Sequence, residues 1–129
     1  MKTAIPLFVC VLAIAPGASA MDASIRRQLS ELDPQTRLEQ RCDMEAMSRI
    51  RKAKEGYQPD KVIAYSFGDP TTSGNMLKTK GAVFRSKGEW YRLAFKCETT
   101  PDHFDVTAFK FRIGEMVPRD AWDEHYLYD

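Results

Sequence analysis

Cys42 and Cys97 are the two side chains whose type and spacing point to covalent chemistry. The remaining cysteine, Cys10, falls inside residues 1–20, which read as a cleaved export signal. Lys2 precedes an apolar run from Ala4 to Ala15, followed by a Pro16-Gly17 break and small residues Ala18, Ser19 and Ala20 before Met21. The run falls well short of the ~20 residues needed to span a bilayer, and Val9 ahead of Cys10 does not suit lipidation. An exported chain left with one cysteine pair is expected to close it as a structural disulfide. Free thiols, a redox pair and metal ligation compete with that reading. There is no C-x-x-C motif, however, and no histidine lies near either cysteine in sequence.

Acid–base chemistry has a thin inventory. The two histidines, His103 and His125, sit beside Asp102 and Asp105 and beside Asp123 and Glu124. Sequence neighbours on a strand point to opposite sides, so only Asp105 shares a face with His103. A small hydrolase or a metal site would need His103, Asp105 and His125 to converge, with the terminal helix crossing the last strand. No G-x-S-x-G elbow is present, and the glycine-containing segment 68–75 lacks the lysine and following serine or threonine of a phosphate-binding loop. Carboxylate pairs for glycoside cleavage are too numerous for any one to stand out. The expectation is no catalytic residue and no cofactor.

Charge points elsewhere. The chain carries 19 Lys and Arg against 18 Asp and Glu, and removing Lys2 with the signal leaves a balanced mature chain, which argues against a nucleic-acid partner. Its distribution is uneven. Residues 76–98 hold Lys78, Lys80, Arg85, Lys87, Arg92 and Lys96 against two glutamates, whereas residues 99–129 are mostly acidic. One account folds the acidic tail back onto the basic strands. The other makes Lys78, Lys80, Arg85, Arg92 and Lys96, beside Trp90, a surface for an anionic envelope component.

The elements that must position these groups follow from periodicity. Ile25, Leu29 and Leu32 mark a short amphipathic segment. Asp33-Pro34 then opens a helix, Asp33 as cap and Pro34 at the first position, where its missing N–H costs nothing. Leu38, Cys42, Ala46, Ile50 and Ala53 line one stripe of it, with Met44 and Met47 off that stripe and free to pack the first helix. Gly56 and Pro59 end it.

A strand is expected over Val62–Phe67, then a connector from Gly68 to Asn75. A hairpin follows, Lys78–Arg85 and Trp90–Glu98, turning through Ser86-Lys87-Gly88-Glu89. Tyr91, Leu93, Phe95 and Cys97 alternate with Trp90, Arg92, Ala94, Lys96 and Glu98, so Cys97 points inward and Trp90 outward. A further strand, from about His103 to Ile113, changes phase, which either a bulge near Thr107 or burial of both faces would accommodate. Pro118 opens a short terminal helix with Trp122 and Tyr126 on one side.

Two stretches resemble a known family. One comprises Leu32-Asp33-Pro34, Thr36 to Gln40, Cys42-Asp43 and Glu45-Ala46-Met47; the other comprises Gly81-Ala82, Phe84 to Gly88, Trp90-Tyr91 and Phe95-Lys96-Cys97. They are similar to exported alphaproteobacterial proteins of domain of unknown function 930, over roughly Leu29 to the end. The resemblance includes both cysteines and implies export, but carries no activity.

Together these readings predict a signal peptide at 1–20 and one α+β domain at 21–129. N-terminal helices would pack on a small antiparallel meander pinned by Cys42–Cys97, in a periplasmic or secreted binding or envelope-accessory protein. Assembly through an exposed sheet edge is a third reading.

Overall fold

The computed structural model describes residues 21–53 and 55–129. The expected export signal at residues 1–20 lies outside the described residues. Two helices open the fold, α1 (Ala23–Ser30) and α2 (Pro34–Lys52). Asp33 caps α2 by accepting the Thr36 backbone N–H at 3.0 Å, with Pro34 in the first turn as its fixed φ favours. Leu38, Cys42, Ala46 and Ile50 are buried and recur every four residues, which makes a single stripe of the helix face inward.

Five antiparallel strands follow: β1 (Pro59–Ile63), β2 (Thr71–Ser73), β3 (Met76–Ser86), β4 (Glu89–Thr99) and β5 (Val106–Met116). The order is β1-β3-β4-β5, and β2 pairs with the beginning of β3. The α+β architecture and the central meander are as the sequence predicts. The β3–β4 turn is tight: Ser86 pairs with Glu89, and Lys87 and Gly88 both have positive φ, at 51° and 79°. That is the geometry whose twist matches right-twisted strands.

The inner face of the sheet meets α2. Leu77, Ala82, Phe84, Leu93, Phe95 and Cys97 are buried there against the helix stripe. A disulfide joins Cys42 to Cys97 across this layer, with the two Cα atoms 5.9 Å apart. Closing a loop of that length stabilises the fold by roughly 4 kcal/mol through the lost entropy of the unfolded chain. Arg37 and Arg41 fasten the β4–β5 loop to the helices by donating to the Asp102 and Phe104 carbonyls.

Four expectations need correction. β1 runs over Pro59–Ile63 rather than Val62–Phe67, because residues 64–68 turn over the sheet at Gly81. Thr79 Oγ1 donates to the Ala64 carbonyl at 2.6 Å and accepts from the Gly81 N–H, while the Phe67 N–H donates to the Gly81 carbonyl. The connector at 68–75 contains β2, which turns back on β3 through Gly74 and Asn75, with Gly74 in the left-handed region.

Past Pro118 the chain forms two 3₁₀ turns, Arg119–Ala121 and Asp123–His125, instead of one helix. Left-handed Tyr126 then reverses it, and the Leu127 and Tyr126 N–H groups close back on the Trp122 and Asp123 carbonyls. Trp122 is therefore buried with Leu127, and Tyr126 is 83% exposed. Trp90, finally, points away from α2 as expected but is fully buried. Val83, Val117, Trp122 and Leu127 pack round it in a second core, and its Nε1 donates to the Tyr128 carbonyl.

The phase change in β5 is a bulge. Glu98 pairs with Ala108 but Thr99 with Val106, so Thr107 is the extra residue.

Candidate functional site

The outer face of the sheet has two halves. The C-terminal segment covers the half around Val83 and Trp90, and the other half faces solvent. Strand register builds that open half mainly from basic side chains. Lys78 on β3 pairs with Lys96 on β4, and Lys96 with Lys110 on β5, so three ammonium groups form a row across three adjacent strands. Neighbouring strands lie about 4.8 Å apart, which makes the row about 10 Å long.

One step further along, Ala94 pairs with Arg112, and the irregularity between Thr79 and Ala82 brings Lys80 to the opposite side of Ala94. Ala94 is half-buried and small, and leaves a floor between two cations. Like charges directly opposite each other destabilise a sheet. Among the described residues, the ion pair that touches the Lys78, Lys96 and Lys110 row is Lys96 to Glu98 at 3.7 Å.

Arg92 closes the row beyond. Its guanidinium lies 3.8 Å from the centre of the Phe67 ring, and Phe67 stacks on His125 with ring centres 3.6 Å apart. Gly114 gives it room, since a Cβ there would come within 2.9 Å of the Arg92 Cβ. Arg92 Nε is buried without a partner. The guanidinium is held flat by its stacking, and a planar fork of this kind matches an incoming carboxylate.

Two adjoining clefts share Lys78 and Lys80. One, of about 480 Å³, runs between these lysines, Arg92 and the segment Phe67, Gly68, Asp69 and Thr71. The other, of about 280 Å³, lies over Ala94 between Lys78, Lys80, Lys96, Lys110 and Arg112.

The structure thus brings together Lys78, Lys80, Arg92 and Lys96 from the residues singled out by sequence. It separates Arg85 from them. Arg85 forms a forked pair with Asp60 at 2.9 and 3.2 Å and lies over the Trp90 and Tyr128 rings at the covered end. That hydrogen bonding holds the Asp60 carboxyl below the usual carboxylate range. Trp90 is inside the second core and is unavailable to a ligand.

Lys110 and Arg112 complete the cationic face and belong to a segment that counts as acidic overall. Their signal is alternation with Phe109, Phe111 and Ile113 rather than local charge balance. The acidic tail does fold back, but Arg119 takes Asp129 and Glu89 as its partners, away from the lysine row.

His103, Asp105 and His125 do not converge. His103 Nδ1 is 3.0 Å from Thr99 Oγ1 at the end of β4, in the loop that follows it. His125 packs on Phe67, and its Nδ1 lies 3.2 Å from the Ser66 carbonyl. Phe67 in turn lies over Arg92, so the histidines are separated by most of β4, roughly 20 Å at strand rise. Among the described residues no group of three potential ligands is placed to hold a metal ion.

A further ionisable group is Asp43 on α2. Burial, and secondarily the Glu39 charge one turn away, push its carboxyl up to about 7, and its Oδ1 has no hydrogen-bond partner. It borders a cavity of about 310 Å³ between α2 and residues 64–72.

A family model described as Domain of Unknown Function (DUF930) matches residues 29–127. No curated protein and no solved structure matches the chain.

Proposed function

The chain belongs to the DUF930 family, and from the chemistry of its sheet we propose that it is an exported, non-catalytic binding module that recognises an anionic component of the cell envelope. The recognition surface is the open half of the outer face. The observation that carries this reading is the cross-strand alignment of Lys78, Lys96 and Lys110. A sheet selected for stability alone would alternate signs or use threonine at such positions, since facing ammonium groups repel. An anion relieves that repulsion and releases the counterions held there.

The signal-like residues 1–20 and the disulfide, which oxidising compartments favour, support the exported part of this reading. The hydrolase alternative has no support from geometry, because His103 and His125 sit at opposite ends of β4.

Titration of the mature protein with a sulfated dextran, followed by calorimetry at low and high salt, tests the proposal. Binding that weakens steeply with salt and is lost in the variant Lys78→Glu, Lys96→Glu, Lys110→Glu is expected. Equal binding by that variant, or none by the wild type, rejects it.

A further inference from the structure

We infer that the ligand of this surface is an acidic polysaccharide, bound along the cationic grid from the lysine row toward Arg92, which receives one carboxylate. The inference rests on the anion-binding reading above and narrows it.

Three features select the class. The cations form a grid rather than a pocket. Lys78, Lys96 and Lys110 make one line, and Lys80 and Arg112 flank Ala94 in the next. Steps of about 4.8 Å across strands and about 6.7 Å along them place several charges under an extended polymer. A small anion would contact only one or two of them, in clefts too open to bury most of its surface.

The rim is also mixed. Asp69 and Thr71 line the larger cleft, and Glu98 adjoins Lys96. A carboxylate beside the cations repels a polyphosphate but accepts hydrogen bonds from hydroxyl groups. A ligand that carries both charge and O–H donors satisfies the whole surface, and an acidic sugar does so in every residue. Finally, the open half is bordered on two sides. Residues 67–71 wall it on one side, and the turn leading to the C-terminal segment on another, near Glu115 and Pro118. A single glycan chain can lie beside these walls.

Arg92 supplies the fixed point. Lysines offer mobile single charges, but the guanidinium stacked on Phe67 presents a planar fork that matches a carboxylate. Its neighbour Gly114 leaves the approach open, since no side chain stands there.

The test measures binding of the mature protein to mono-, tri- and hexagalacturonate, to a neutral hexasaccharide, to inorganic phosphate and to phosphatidylglycerol vesicles. Affinity should rise at least about a hundredfold from mono- to hexagalacturonate, as linked sites predict. The neutral sugar should not bind. Arg92→Lys, which preserves the charge, should weaken the hexamer about tenfold, as loss of a forked contact does.

If phosphate or the monomer binds as tightly as the hexamer, or if vesicles bind and oligouronates do not, the polysaccharide inference is overturned while anion binding stands. If none of the anionic probes binds, the underlying reading fails as well. Equal hexamer affinity in Arg92→Lys removes the role given to the fork.

Discussion

Lys78 of β3 and Lys96 of β4 stand directly opposite each other, and Lys96 meets a third ammonium group, Lys110, on its other side. This repulsion is a stability cost set within the proposed recognition surface. Replacing Lys96 with Thr should raise the unfolding free energy by about 0.5 kcal/mol, with the gain shrinking as salt screens the row. Urea unfolding at low and high ionic strength measures it. A stabilised variant that has lost affinity for sulfated dextran is the expected pairing; a destabilised one would show that the row is already neutralised in the folded protein.

Cys42 and Cys97 join the helix layer to β4, one of the two central strands of the sheet. Reduction should lower stability by roughly 4 kcal/mol, and the Cys42→Ala, Cys97→Ala variant should behave likewise in the presence or absence of reductant. Unfolding curves with and without dithiothreitol distinguish this from a pair that contributes little. Equal midpoints would place the stability elsewhere, in the Leu38 to Ile50 stripe.

Asp43 makes stability depend on pH. Its folded carboxyl holds a proton up to about pH 7, against an ordinary value of 3.8, so between those limits the folded state binds a proton that the unfolded state releases. Stability should therefore fall as pH rises through that window and level off above it. The loss is at most about 4 kcal/mol. Asp43→Asn should flatten the dependence and be the more stable protein at pH 8. Parallel pH profiles for the two proteins would mean that Asp43 reaches water in solution.

Gly81 lies beneath the turn at residues 64–68. A Cβ there would come within 2.6 Å of the Gly68 nitrogen and 2.7 Å of the Phe67 carbonyl carbon, both backbone atoms with little freedom to move. Gly81→Ala should cost roughly 2 kcal/mol, in the range of other overpacked substitutions. By shifting Phe67 it should also weaken anion binding through Arg92. Full affinity in a destabilised Gly81→Ala protein would uncouple the turn from the site.

Most of the framework could be read from residue order because local rules and tertiary packing agree there. Asp33-Pro34 caps α2 as capping chemistry requires, the Leu38 to Ile50 spacing selects the buried stripe, and Cys97 falls on the apolar phase of β4. Pattern alone fails where a distant segment decides. Alternation assigns Trp90 to the side away from α2 correctly, yet it cannot say that residues 117–128 return to cover that side. The size of an indole among charged neighbours was the available clue.

Lys110 and Arg112 were hidden for a related reason, since net charge counted along the chain ignores which strands become neighbours. The end of β1 depends on Gly81, a contact made across the sheet that leaves no trace in the sequence of β1 itself.

β4 is thus read by two different partners, α2 on one side and the outside world on the other, with the handover near Arg92. A library of single substitutions along this strand should give a sawtooth of protein yield, low at Leu93, Phe95 and Cys97 and near normal at Ala94, Lys96 and Glu98. At Trp90 the sawtooth should break, because there the second side is claimed by the chain's own tail. Natural variation that changes the amount of protein and variation that leaves it unchanged would then fall on alternate codons of the same short stretch of gene.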